Sequence, residues 1–279
     1  MRKITIILAF LLLAPMLIQA QTRRALVIGL GQQEDISWNK INGDKDVAYV
    51  LEILSDAAFS QIITRVNEDA TKAGIVEAFR TLEQSCRPND IVYVHFSGHG
   101  QQVKDKNGDE HDGMDESWIP YDAYRKFCDK DCGEKHLIDD EINQFLNAIR
   151  NKIGGNGKML VVVDACHSGG STRAHGETAR GVEDVFEASF RSRPSPVYSE
   201  RWITLSACEN DQINFEMKTP VVGKLTYAIY RNIKDGNMGS NAEFFQKLKT
   251  FINVNRSSRP QRPTMTGDTI HCNIADIFR

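Results

Sequence analysis

The chain of 279 residues has no run of basic residues and a formal net charge of −3. It therefore lacks the electrostatic footprint of a nucleic-acid-binding protein. Aromatic residues make up 8% of it and are scattered rather than interleaved with arginine, so there is no stacking platform for single strands. No internal repeat and no low-complexity segment occurs, which leaves one ordinary globular domain as the expectation. Long apolar runs are equally scarce. The one present, "ITIILAFLLLAPMLI" (4–18), follows the short positive start "MRK" and is broken by Pro15. It is short for a bilayer span and runs into "IQA", the pattern of a secretory signal (1–20) cleaved after Ala20. An uncleaved anchor is the alternative. No cysteine closely follows the run, which argues against a lipid anchor. The mature chain is thus expected to be exported, periplasmic or secreted, with no stable membrane span. Without Arg2 and Lys3 it has 32 basic against 37 acidic residues, a net −5.

Export permits disulfides. The six cysteines are Cys86, Cys128, Cys132, Cys166, Cys208 and Cys272. Cys128 and Cys132 are close enough to close a small loop, as a disulfide or as two free thiols. Zinc would need two more ligands there, and only His136 is near.

What is present is an alternation of strand and helix. "RALVIGL" (24–30) reads as a buried strand, and "GDKDVAYVLEILSDAAF" as a helix with Val47, Val50, Leu51 and Leu54 on one face. "QIITRV" is a second strand. "DATKAGIVEAFRTLEQS" is a second helix, capped by Thr71, and "IVYVHF" a third strand. This order predicts a mostly parallel sheet with helices on both faces. The polar stretch "QQVKDKNGDEHDGMDES" reads as a loop, followed by a helix capped by Asp139. Strands at "KMLVVVDAC" and "RWITLSAC" follow, then helices at "GKLTYAIYRNI" and "NAEFFQKLKTFINV". "TIHCNIADIF" is a candidate edge strand. "DKNGDEHDG" has neither the bidentate Glu nor the flanking helices of an EF-hand.

Two stretches share a shape. "IVYVHFSGHG" (91–100) and "VVVDACHSGG" (161–170) each carry an apolar strand into a glycine turn. One ends at His99, the other at Cys166. In an open parallel sheet, ligands bind beyond the carboxyl ends of the strands, so neighbouring strands would bring these two residues to one crevice. A thiol is little ionised near neutral pH, and a nearby imidazole can take its proton. His99 is the candidate acid–base and Cys166 the nucleophile. Gly98, Gly100, Gly169 and Gly170 allow tight turns, and N–H groups freed there, that of Gly100 included, can bind an oxyanion. His167 is adjacent to Cys166 but points to the other side of an extended chain. His95, inside the strand, reads as a core histidine, and Cys208 as a buried small residue.

"HFSGHG" and "VVVDACHSGG" resemble the two signature blocks of caspase-like cysteine peptidases, specifically the metacaspase branch. "INGDKDVAYVLEIL", "GDEHDGMDESWIPYD", "LIDDEIN", "LSACENDQ" and "GKLTYAIY" extend the resemblance through most of the chain. It implies an α/β caspase-haemoglobinase fold over 21–279, a mostly parallel six-stranded sheet between helices. A large-subunit-like part would span about 21–170, a loop 171–196, and a small-subunit-like part 197–279. It implies an endopeptidase with a His99–Cys166 dyad and a thioester intermediate. Asp164, Ser97, Asp46 and Ser206 match pocket positions, and a carboxylate there pairs with a basic side chain. Protein or peptide substrates would then be cut after Arg or Lys.

No cofactor is required for that chemistry. Calcium, as an activator, is implied at Asp112, Asp115, Asp139 and Asp140, although a further acidic position of the family falls on Arg173 here. Self-cleavage in the 171–196 loop is implied at Arg173, Arg180, Arg191 or Arg193, and a monomer is expected. The rival readings are a clostripain- or gingipain-like peptidase, or a non-catalytic scaffold that binds partners in the same groove.

Overall fold

A computed structural model describes residues 21–105, 108, 113–166, 177–182, 184–188, 201–209 and 212–279. The expected signal segment, Asp112, His167, Gly169, Gly170, Arg173, Arg191 and Arg193 lie outside the described residues.

Three strands are buried along nearly their whole length: β1 (Arg23–Gly29), β3 (Ile91–Ser97) and β7 (Lys158–Asp164). Continuous apolar sequence, rather than alternation, is what a strand covered on both faces requires. With β2 (Gln61–Val66), β8 (Ile203–Ser206) and β9 (Thr264–Gly267) they form one six-stranded sheet in the order β2-β1-β3-β7-β8-β9. Every pairing is parallel except β8 with β9. The expected mostly parallel six-stranded sheet is therefore present.

Successive β3 residues face opposite sides. Tyr93 joins a core with residues of α1 (Gly43–Asp56), α4 (Lys224–Lys234), α5 (Asn241–Val254) and α6 (Ala275–Phe278). Val92, Val94 and Phe96 join the other core, with α2 (Lys72–Ser85) and α3 (Asp139–Ile153). Thr71 caps α2 as expected, its hydroxyl accepting from the Gly74 N–H at 3.1 Å.

Three local expectations are corrected. The polar stretch after His99 is not simply a loop: β4 (Gly100–Lys104) and β5 (Met114–Trp118) pair antiparallel, and β6 (Leu137–Ile138) adds to β5. Its buried face carries Gln101, Asp115 and Ser117, polar residues that hide a strand's apolar alternation. Asp139 is the first residue of α3 rather than its side-chain cap. The final sheet strand is Thr264–Gly267, and 275–278 ends the chain on a short helix instead of an edge strand. Cys128 and Cys132 are free thiols, with the Cys132 Sγ 3.7 Å from the Cys128 carbonyl.

Candidate active site

The two strands singled out by sequence are neighbours at the centre of the sheet. Their register sets Ser97 opposite Asp164, so His99 and Cys166 each stand two residues beyond a matched pair. A one-residue slip would turn every side chain on one strand to the wrong face. The crevice at these carboxyl ends lies where doubly wound sheets hold their ligands.

His99 is fully buried. Its Nε2 lies 2.7 Å from the Asn39 carbonyl, and the Trp38 ring stacks on it at 5.0 Å. The carbonyl can only accept, so the proton belongs on Nε2 and the Nδ1 lone pair is left available. Nδ1 has no hydrogen-bond partner among the described residues. Burial lowers His99 to about 4, with the Arg180 and Arg125 charges adding to the fall and the Asn39 bond opposing it. A neutral imidazole with one open nitrogen can accept a proton from a thiol. Cys166 is also buried, its Sγ 2.9 Å from the Gln212 carbonyl. The Cys208 Sγ lies 3.4 Å from the same oxygen, which fits the expectation of a buried small residue.

The chain's own residues 177–182 run through this crevice. Glu216 N–H donates to the Thr178 carbonyl at 2.9 Å and Arg180 N–H to the Asn214 carbonyl at 3.0 Å, an antiparallel pairing centred on Ala179 and Phe215. The Arg180 carbonyl oxygen then accepts from the Cys166 N–H at 3.0 Å and the Gly100 N–H at 3.4 Å. Two converging N–H groups on one carbonyl oxygen form a site that stabilises negative charge developing there. Gly181 follows directly, packed so closely that a Cβ there would lie 2.8 Å from the Cys166 Cβ and 3.3 Å from its Sγ.

Arg180 is completely buried, its guanidinium in an acidic pocket. Nη1 meets the Asp46 carboxylate at 2.6 Å, the Ser97 hydroxyl at 2.6 Å and the Asp164 carbonyl at 3.2 Å, with the Asp164 carboxylate 3.5 Å away. Nε and Nη2 both donate to Glu216 Oε1, at 3.1 and 3.0 Å. Each carboxylate is itself held. Ser97 donates to Asp46, as does the Gly223 N–H at 2.9 Å. Asp164 accepts from Asn214 and from the Thr226 hydroxyl and N–H, at 2.6–2.8 Å. Glu216 accepts from the Asn42 N–H and side-chain amide at 2.6 Å.

Burial pushes both aspartates upward. For Asp164, Arg180 and the hydrogen bonds outweigh it and hold the carboxyl below its ordinary value. Asp46 is raised to about 6, because the Asp164 charge adds to its burial and offsets part of the pull of Arg180. Burial alone would lower Arg180, but the three carboxylates raise it. Gly223 closes the pocket. A Cβ there would stand 2.2 Å from Asp164, 2.6 Å from Asp46 and 2.6 Å from Arg180.

The structure thus brings His99, Gly100, Cys166, Asp164, Ser97 and Asp46 to one site, with Arg180 inside it. Ser206 does not join them. It ends β8 opposite Thr264, beside Val163, and among the described residues it makes no hydrogen bond to Arg180. His95 is buried as expected, between the Tyr93 hydroxyl at 3.0 Å and Thr226 Oγ1 at 3.2 Å. The sequence reading missed Glu216, Asn214, Gly223, Thr226 and Asn39. Gly223 and Thr226 lie within the block "GKLTYAIY", and Asn214 follows "LSACENDQ" closely, but a signal for Glu216 would need knowledge of which strand receives 178–180. Asp115 lies on β5, and Asp139 and Asp140 open α3 directly after β6, which pairs with β5. No group of three such residues poised for a metal ion occurs among the described residues.

A thiol and an imidazole ending adjacent parallel strands, beside a carbonyl held by two N–H groups, is the arrangement of a cysteine peptidase of the α/β class. Residues 22–273 match the caspase domain family, and the chain belongs to that family. It is similar to a metacaspase-1A of Neurospora crassa, 25% identical over 300 residues, covering 86% of this chain and 62% of the relative. It is also similar to a metacaspase-2 of Arabidopsis thaliana, 34% identical over 155 residues, covering 53% and 34%. The chain spans less than two thirds of the length of these relatives. In fold it resembles a protein of Geobacter sulfurreducens (TM-score 0.64, 22% identity, 88% and 92% covered). It likewise resembles the caspase-1 of Spodoptera frugiperda (TM-score 0.57, 11% identity, 88% of each chain covered).

Proposed function

We propose that this protein is a cysteine endopeptidase that cuts after Arg, and less well after Lys, and that its first substrate is its own Arg180–Gly181 bond. One observation carries the reading: the Arg180 carbonyl lies on the Gly100 and Cys166 N–H groups while its guanidinium fills an acidic pocket. A scaffold that only held partners would not need a carbonyl seated between those donors next to a thiol.

The chemistry follows from the groups present. His99 Nδ1 takes the Cys166 proton, and the thiolate attacks the Arg carbonyl carbon. The oxyanion forms on the two N–H groups. His99 returns the proton to the departing amine as the C–N bond breaks, leaving a thioester. Water, deprotonated by His99, then cleaves the thioester to the acid and the free thiol.

Calcium is proposed as an activator held near Asp115, Asp139 and Asp140, with Asp112 outside the described residues. Carboxylate oxygens suit a hard cation, and the family resemblance supplies the rest of that argument. Export rests on residues 1–20, and N-terminal sequencing of the exported chain should begin at Gln21. The working unit is proposed to be a monomer, which light scattering would test.

The deciding assay uses matched fluorogenic peptides with Arg, Lys or Asp at P1, with calcium and with chelator, beside Cys166→Ala. Cleavage after Arg that disappears in the variant is expected, together with a chain fragment beginning Gly-Val-Glu-Asp. Cleavage after Asp would overturn the pocket assignment. An inert wild-type chain in every lane would favour the scaffold.

A further inference from the structure

Beyond Gly181 the segment is held as firmly as before it, by residues to which nothing above gives a role. Val182 is 2% exposed and packs with Trp38, Ile119 and Ala123. Phe186 is 1% exposed and packs with Val103 and Ile138, the His136 ring 4.1 Å from its own. Between them, the Asp184 carbonyl accepts from the buried Gln101 amide at 2.8 Å, and its carboxylate meets Arg125 at 2.6 Å. The backbone is read too. Phe186 N–H donates to the Gln102 carbonyl at 2.8 Å, and its carbonyl accepts from the Lys104 N–H at 2.9 Å. The segment thus meets the outer edge of β4 through two separate parallel bridges, Gly181 with Gly100 and Phe186 with Val103. Val185, between these anchors, is 39% exposed.

We propose that the β4 edge and its two apolar pockets form a primed-side recognition surface for extended protein substrates. Strand addition supplies affinity, and pockets for chosen side chains supply sequence preference. Position P1′ takes glycine, because any Cβ there meets Cys166. P2′ takes a β-branched aliphatic residue against Trp38, whose ring also stacks on His99. P4′ takes an acidic residue on Arg125. P6′ takes an aromatic residue. The preferred class is therefore Arg-Gly-(Val/Ile)-x-(Asp/Glu)-x-Phe in an unfolded segment. This inference rests on the peptidase reading.

The test uses the wild-type chain and a quenched peptide with the sequence of 177–188. Three companions carry Ala at P1′, Asp at P2′ or Ala at P6′, and a separate reporter is an arginyl aminocoumarin with no primed residues. Each peptide meets the same competition from the chain's own segment. Loss of each anchor is expected to lower kcat/KM about tenfold or more, the P6′ change acting mainly on KM. In the full chain, Val182→Asp and Phe186→Ala should slow appearance of the Gly181 fragment by a similar factor, and Val185→Ala should not. Equal rates for all four peptides, with the coumarin reporter cleaved, would overturn the proposal while leaving the peptidase intact. An inert coumarin reporter together with an uncut Val185→Ala chain would overturn the peptidase reading instead.

Discussion

Ser97 on β3 stands directly across from Asp164 on β7, and the site is built outward from that pair. Both side chains turn into the acidic pocket, and the residues two further on are His99 and Cys166. Specificity and chemistry therefore share one register. A strand slip would lose both together.

Glu216 is the group expected to separate arginine from lysine. It accepts from both Nε and Nη2 of Arg180, and a lysine ammonium has no counterpart to that fork. Glu216→Gln is expected to lower kcat/KM for Arg peptides about tenfold and for Lys peptides much less. Side-by-side kinetics on the two P1 series would check it, and an unchanged Arg/Lys ratio would remove Glu216 from that role.

The missing side chain of Gly223, at the wall of the pocket, leaves room for the guanidinium. A methyl group there would occupy the space of the guanidinium and press on both aspartates. Gly223→Ala should therefore cut activity on P1-Arg peptides by about a hundredfold or more, since a misplaced P1 residue also misplaces the scissile carbonyl. Labelling of Cys166 by a small, P1-independent alkylating agent should survive, which distinguishes a filled pocket from a collapsed site.

The rate of the Arg180–Gly181 cut should keep an open acid limb. His99 is lowered to about 4, so its Nδ1 remains an unprotonated base well below the ordinary histidine value. The cis-cleavage rate, followed by mass spectrometry, is expected to weaken below about 6, where Asp46 takes up a proton and loosens its hold on Arg180, and to be lost only as the pH approaches 4. A midpoint near 6.5 would mean that the imidazole is hydrated in the working state.

Stability should decline on the same side. His95 and His99 are lowered by burial to about 4 and His136 to about 3. Between those values and about 6.5 the unfolded chain binds more protons, so stability is complete above about 6.5 and lost as pH falls. Asp46, raised to about 6, works the other way and recovers part of the loss. The net expectation for Cys166→Ala, which remains uncut, is a melting temperature that drops from pH 7 to pH 4.5. A flat profile would contradict the burial of the three rings.

Much of this was legible in the sequence. Continuous apolar runs at 24–30, 91–96 and 159–163 announce central parallel strands, because only doubly covered strands avoid alternation. Glycines just past two of them mark the crevice. The β4–β5 pair was hidden because its buried face is polar: Gln101 is satisfied by His136 at 3.1 Å, and the Ser117 hydroxyl by the Gln101 carbonyl at 2.7 Å. Ser206 failed as a pocket residue for a different reason. Its strand is the right one, but the wall facing Arg180 is made by the segment that follows, Asn214 and Glu216.

By itself, the sequence determined the sheet, the place of His99 and Cys166 just past two of its strands and the carboxylates Asp46 and Asp164, since these depend on local pattern and residue chemistry. Only the tertiary structure decided what fills that pocket. Arg180 is one of four arginines between 171 and 196, and although it alone is followed by glycine, that local feature does not by itself place it in the pocket. It is selected by Glu216 and Asp46, which stand 36 residues after it and 134 before it. Pairing across such separations is fixed by the packing of the whole domain.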